Sequence, residues 1–150
     1  MRVVIQRVSQ ASVKSDGFGE NNIKTGLLIL LGIEEPDNEE DVDWLTGKIA
    51  RLRVFADEAW VMNLSVMDIK GELLVVSQFT LHASTKKGNR PSYIKAARPE
   101  HAIPLYEFFI EKLQTETGLR VVSGWFGADM KVELINDGPV TILIDSRNRE

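Results

Sequence analysis

Near the middle of the chain an apolar run, residues 72–81 (ELLVVSQFTL), ends in side chains that could do chemistry. Ser77, Gln78 and Thr80 lie within it and His82 follows directly. Serine, threonine and histidine are the usual materials of nucleophilic ester hydrolysis, in which a hydroxyl attacks a carbonyl and an imidazole takes its proton. If residues 73–81 are extended, side chains alternate between faces. Gln78, Thr80 and His82 then point one way, and Ser77, Phe79 and Leu81 the other. A Ser77–His82 pair would need both on one face. There is also no G-x-S-x-G elbow to expose a serine. A conventional triad is therefore not expected. The plain alternative is that Ser77, Gln78 and Thr80 hydrogen-bond to backbone near the strand end.

A second candidate is Asn136-Asp137-Gly138-Pro139. Asp-Gly is a favoured hairpin pair, so a tight turn between antiparallel strands accounts for it. The proline is less easily explained, because it removes a ladder donor at the entry to a strand. A Gly-Pro peptide can also become cis at a cost of only about 0.5–1 kcal/mol. A third candidate is residues 86–98, KKGNRPSYIKAAR. Lys86, Lys87, Arg90, Lys95 and Arg98 give five cations with no carboxylate among them. Such a run is either a solvated loop or a surface for a polyanion.

The remaining composition excludes several classes. There are no cysteines, hence no disulfide, thiolate metal site or cysteine nucleophile. With only two histidines, His82 and His101, no metal ligand cluster is expected, and no cofactor motif occurs. The net charge of −4 argues mildly against a nucleic-acid partner, but distribution matters more than the sum. The longest apolar run, residues 26–33, is far short of the roughly 20 residues of a membrane helix, and no signal peptide is evident. A cytoplasmic protein is the expectation.

The elements that would hold these candidates are readable from periodicity. Residues 2–8 and 11–15 read as two short strands, with turn chemistry in 16–22. Residues 23–33 read as a strand buried on both faces, and 72–81 as another. Asp37 reads as a helix cap with Glu40 three residues on; Val42, Leu45, Ile49 and Leu52 follow at helical spacing. Residues 63–68 read as a short strand or turn. Residues 99–117 read as a second helix stopped by Gly118, with Pro104 tolerable only in the first turn. Residues 130–134 alternate as a half-buried strand, 136–139 break it, and 140–144 resume it. The whole, residues 1–150, is expected to be a single α+β domain: a mainly antiparallel, barrel-like sheet with two main helices.

Several blocks taken in order resemble one family, the D-aminoacyl-tRNA deacylases. They are MRVVIQRVSQASV at the start, GLLILLGI, MNLSV at 62–66, VVSQFTL, KGNRPSY, FGADM at 126–130 and NDGPVT at 136–141. SQFTL and NDGPVT are the two signature motifs. Two departures stand out. Trp60 and Val61 replace the usual glycine and lysine before MNLSV, and a glycine expected after Ile23 is missing.

The resemblance implies a homodimer with active sites at the subunit interface, acting on the 3′ end and acceptor stem of aminoacyl-tRNA. Ser77, Gln78, Phe79 and Thr80 of one subunit would form the pocket. A cis Gly138-Pro139 peptide, supported by Arg7 and Asn136, would enter from the partner and select chirality. Backbone N–H groups near Phe79 and Thr80 would hold the oxyanion. Either the ribose 2′-hydroxyl assists the attacking water, or Thr80 acts as a nucleophile. Rejection by steric clash would spare D esters, exclude L esters and let glycyl-tRNA through. Lys86, Lys87, Arg90, Lys95 and Arg98 would then meet phosphates. Two rival classes are a non-catalytic RNA-binding module and a small-ester hydrolase indifferent to tRNA.

Overall fold

Valine and isoleucine dominate the first residues, and they form one long strand where two were expected. In the computed structural model, which describes residues 1–150, β1 runs Arg2–Ser15 without interruption. The remaining strands are β2 (Gly19–Ile23), β3 (Gly26–Gly32), β4 (Phe55–Ala56), β5 (Met62–Leu64), β6 (Glu72–Ser77), β7 (Val121–Ser123) and β8 (Lys131–Asp145). The helices are α1 (Glu39–Ala50) and α2 (Pro99–Thr117). Ser9 and Gln10 are exposed yet stay extended, because β8 pairs with β1 at Val8 and again from Gln10 onward. β1 pairs antiparallel with β3 through its first half and with β2 through its second.

The α+β reading holds, but the sheet is mixed. β6 lies parallel to β3, and β7 parallel to β6. A parallel neighbour needs a crossover, and α2 with its preceding loop supplies the one between β6 and β7. Both faces of β3 and β6 are covered. Leu27, Ile29, Leu31, Leu73 and Val75 face a large core with Val42, Leu45, Ile49, Leu105, Phe109 and Leu113 of the helices. Leu28, Leu74 and Val76, one residue out of phase, face a smaller core with Val8, Ala11, Val13 and Ile23. That double burial is why these strands read as continuous apolar runs.

The first helix is capped one residue later than expected. Asn38 caps α1, accepting the Glu40 N–H at 2.9 Å, while Asp41 accepts the Asn38 N–H at 3.0 Å. Asp37 is diverted to a buried knot. Its carboxylate takes the Met1 ammonium at 2.6 Å, Arg147 Nε at 3.0 Å and the Glu34 N–H at 2.8 Å. The second helix has its expected ends, with Pro99 in its first turn and Gly118 at φ 67°. Pro104 lies inside it, beyond the first turn, on the exposed side. No helix is long and apolar enough to cross a membrane.

Two carboxylates tie the chain ends to this frame. For both, burial opposes ionisation, but hydrogen bonds outweigh it. Ser146 and the Asn38 N–H bring Asp41 below its ordinary value; Arg2 and the N–H groups of Arg147 and Asn148 do so for Asp145. A lowered folded value means stability present above the unfolded pKa, near 4, and lost as pH falls through the folded one. Acid titration of unfolding should therefore show stability declining below about pH 4. Asp145→Asn should lower stability at pH 7 by about 1–3 kcal/mol and flatten that acid slope. Urea unfolding across pH 2–7 checks both.

Candidate active site

Strand β6 does not run on to Leu81. It stops at Ser77, whose successor donates its N–H to Leu31 O at 2.7 Å, and the chain then winds into a 3-10 turn, Phe79–His82. The Leu81 N–H returns to Gln78 O at 3.2 Å and the Ala83 N–H to Thr80 O at 3.0 Å. The expected alternation of faces beyond Ser77 is therefore absent. Such a turn leaves its first N–H groups, those of Phe79 and Thr80, without partners inside the turn. These donors sit at the open end of an otherwise buried strand.

Two hollows flank this turn, of about 240 and 70 Å³, and both are lined by Ser77, Gln78, Phe79 and Gly127. The larger adds Ala128, Met130 and Val132; the smaller adds Leu31, Ile33, Ala97, Ala102 and Phe126. Thr80 lines neither, and its hydroxyl accepts from the Gln78 amide. The FGADM segment thus supplies much of the wall, a role its residues did not announce. Tyr106 supports it from below. Its ring lies 5.6 Å from that of Phe126, and its hydroxyl donates to Val75 O at 3.2 Å. Burial pushes this phenol up to about 12, so it stays a donor. A larger hollow of about 530 Å³ opens elsewhere, between α1 and the end of β8. It is lined by none of Ser77, Gln78, Phe79 or Thr80.

Acid–base groups do not converge here. Neither hollow is lined by a carboxylate or an imidazole. His82 is buried with both ring nitrogens unpartnered, its Nδ1 3.6 Å from Glu34 Oε2, and it packs against Gly32. It makes no hydrogen bond to Ser77. The failure of the Ser77–His82 pair thus comes from the turn and not from strand parity.

The Gly138-Pro139 segment lies apart from this pocket. It was expected to break the strand, but β8 continues through it. From the pair Gln6↔Thr141 to the pair Val8↔Asn136, β1 advances two residues and β8 five. The three extra residues swell out of the ladder as a bulge. The Gly138-Pro139 peptide is cis, with Gly138 at φ 138°. A Cβ on Gly138 would come within 2.9 Å of Arg7 Nη2 and 2.8 Å of Val140 Cγ2. Asn136 closes the bulge, its Oδ1 accepting the Val140 N–H at 3.0 Å and its Nδ2 donating to Thr141 Oγ1 at 2.9 Å. Arg7 donates through Nε to Asp137 O at 2.8 Å and through Nη1 to Val54 O at 2.6 Å. Asp137, Gly138 and Pro139 themselves are exposed.

The basic stretch returns to the pocket. It leaves the 3-10 turn, is pinched by the mutual Ser84 and Ser92 backbone bonds, and rejoins the sheet through the Ala97 N–H to Ile33 O at 2.9 Å. Within it the Tyr93 ring meets Phe79 edge-on at 5.1 Å. Lys86, Lys87, Arg90, Lys95 and Arg98 are all exposed, and none forms an ion pair. Of the two departures, the missing glycine is harmless: neither Lys24 nor Thr25 needs a positive φ. Trp60 does stand at φ 61°, a glycine's conformation.

The D-Tyr-tRNA(Tyr) deacylase family matches residues 4–145. D-aminoacyl-tRNA deacylases of Flavobacterium johnsoniae and Flavobacterium psychrophilum are 64% and 66% identical over all 150 residues and the full length of each. A solved structure called c-Myc DNA Unwinding Element Binding Protein superposes with a TM-score of 0.89 at 41% identity, over 97% of this chain and 98% of its own. A probable eukaryotic D-amino acid tRNA deacylase shares the fold at 16% identity, with a TM-score of 0.83 over 95% of this chain and 97% of its own. On length, order of motifs and fold, this chain belongs to the D-Tyr-tRNA(Tyr) deacylase family.

Proposed function

We propose that the chain is a single-domain editing hydrolase of D-aminoacyl-tRNA, working in the cytoplasm as a homodimer without cofactor or metal. The observation that carries this is the 3-10 turn after β6, whose first N–H groups have no partner inside the turn, beside a pocket that has no acid–base side chain. An aminoacyl ester is already activated, so positioning water and holding the oxyanion suffices. Water adds to the ester carbonyl, and the oxyanion accepts from the Phe79 and Thr80 N–H groups. The C–O bond to ribose then breaks, leaving free tRNA and the D-amino acid. Ser77, Gln78 and Phe79 shape the cradle.

Chirality is assigned to the Gly138-Pro139 bulge of a second copy. Exposed Gly138 and Pro139 line neither hollow of their own chain, which fits insertion into another. Arg7 and Asn136 hold the bulge stiff enough to exclude an L side chain by contact. Each tenfold of selectivity requires about 1.4 kcal/mol. Glycyl-tRNA, lacking a side chain to clash, is accepted. Lys86, Lys87, Arg90, Lys95 and Arg98 bind acceptor-stem phosphates, with affinity that falls as salt rises. D-Tyrosyl-tRNA and L-tyrosyl-tRNA compared side by side give the primary test. Loss of only the D ester supports editing, loss of both marks an unselective esterase, and loss of neither leaves a binding module.

For the catalytic step, the Thr80 hydroxyl accepts from Gln78 and has no base beside it. This favours assistance by the ribose 2′-hydroxyl. Thr80→Ala should keep most single-turnover activity, whereas a substrate lacking the 2′-hydroxyl should react about 10²–10⁴-fold more slowly, the usual range for proton-transfer assistance. Unimpaired turnover of that substrate, with Thr80→Ala inactive, would instead make Thr80 the nucleophile. For selectivity, Arg7→Ala should loosen the bulge and raise the rate on L-tyrosyl-tRNA relative to D by at least about tenfold, a loss of about 1.4 kcal/mol of discrimination. An unchanged D/L ratio in a folded variant would separate Arg7 from chiral selection.

A further inference from the structure

Two large apolar side chains stand out further into solvent than any others in the chain. Ile94 of the basic loop is 90% exposed and Trp60, at the tip of the β4–β5 hairpin, is 88% exposed. Val61 and Met62 continue the apolar tip. Trp60 is not a loose end. Asp57 accepts the Ala59 and Val61 N–H groups at 2.9 and 3.1 Å and the Asn63 amide at 3.1 Å, while the Trp60 N–H reaches Asp57 O at 3.0 Å. A bulky residue is thereby held in a strained φ > 0 conformation and aimed outward, an arrangement that calls for a partner surface.

The two sites have different anchors. Arg7 joins the root of the hairpin, at Val54 O, to the Gly138-Pro139 bulge, at Asp137 O. Ile94 directly follows Tyr93, whose ring rests on Phe79 at the pocket rim. Trp60 therefore travels with the bulge, and Ile94 with the pocket. We infer that the hairpin tip of one copy packs on the basic loop of a second, Trp60 against Ile94, and completes the outer rim of the pocket. The packing rests on the reading that the bulge enters a second copy's pocket. Given that insertion, what is clamped to the bulge arrives beside what borders the pocket.

Charge supports the same occupant. The hairpin tip carries Asp57 and Glu58, with Arg53 kept at its root by a bond to Asn63 O at 2.9 Å, and residues 83–98 carry five cations with no carboxylate. An acidic apolar tip suits a cationic apolar loop. It is a poor platform for a nucleobase, because the phosphates beside that base would meet carboxylates. Tryptophan and methionine are also the residues that interface centres favour.

The absence of cysteine makes the test clean. Trp60→Cys chains exchanged with Ile94→Cys chains and treated with a short bismaleimide should give a covalent dimer, and neither variant alone should. Trp60→Gly suits the backbone and should keep the thermal melt, while raising the dimer dissociation constant at least tenfold in sedimentation. A wild-type chain that sediments as a monomer would remove the dimer reading and this packing together. A stable dimer with no mixed cross-link would overturn the packing alone. Trp60→Gly with an unchanged dimer but a higher KM for aminoacyl-tRNA would assign the ring to RNA and likewise overturn it.

Discussion

The β1–β8 ladder imposes the constraint on which the candidate site depends. The two strands pair at both ends, and between the pairs Gln6↔Thr141 and Val8↔Asn136 β8 has three residues more than β1. Those residues cannot stay in the ladder, and a bulge on an edge strand has only the outside to go to. A bulge of cis Gly-Pro would ordinarily be the softest part of such a strand. Arg7 and Asn136 prevent that by bonding the carbonyl before it and the N–H after it. Guanidinium suits the task because its rigid fork can serve Asp137 O and Val54 O at once, which a lysine ammonium on a flexible stem would do poorly. The lack of room for a Cβ at Gly138 is the other half of the same packing.

The pocket arises from the opposite event, a strand that ends early. Up to Ser77 β6 is held along β3, and from Leu73 to Val75 along β7 as well. Winding into a 3-10 turn then leaves the N–H groups of Phe79 and Thr80 without partners inside the turn. Gly32 permits the turn to settle, because a Cβ there would strike Leu81 Cβ at 2.9 Å and Gln78 O at 3.0 Å. Site and scaffold are therefore one feature: backbone released where the sheet stops needing it.

How much of this was legible depends on the range of the signal. The helices were readable because their apolar spacing and the stop at Gly118 are local. Doubly buried β3 and β6 were readable from unbroken apolar runs. The cap at Asn38 was misplaced by one residue because Asp37 is engaged by Met1 and Arg147, the latter 110 positions away. The end of β6 was missed because SQFTL has the composition of a strand, and only the packing of Leu81 and His82 on Gly32 turns it. The continuous β8 was missed because Asp-Gly and proline signal a break unless a neighbouring strand holds the chain extended through them. The wall formed by Phe126, Gly127 and Met130 had no local signal at all. Its motif counted toward the family resemblance but pointed to no place in the site.

The net charge of −4 looks unsuited to a polyanion, and the distribution of partners resolves this. Much of the acid is committed within the fold. Asp37 and Asp41 hold the chain ends, Asp145 holds Arg2, and Asp43 holds Lys112. A carboxylate paired with a cation projects little field. Charges further apart than a Debye length, about 8 Å at physiological salt, scarcely act on one another across water. The five cations of residues 86–98 have no such partners and are exposed together. A phosphate near this loop therefore meets a positive surface whatever the total charge, and the loop starts at the turn where the ester would be cleaved.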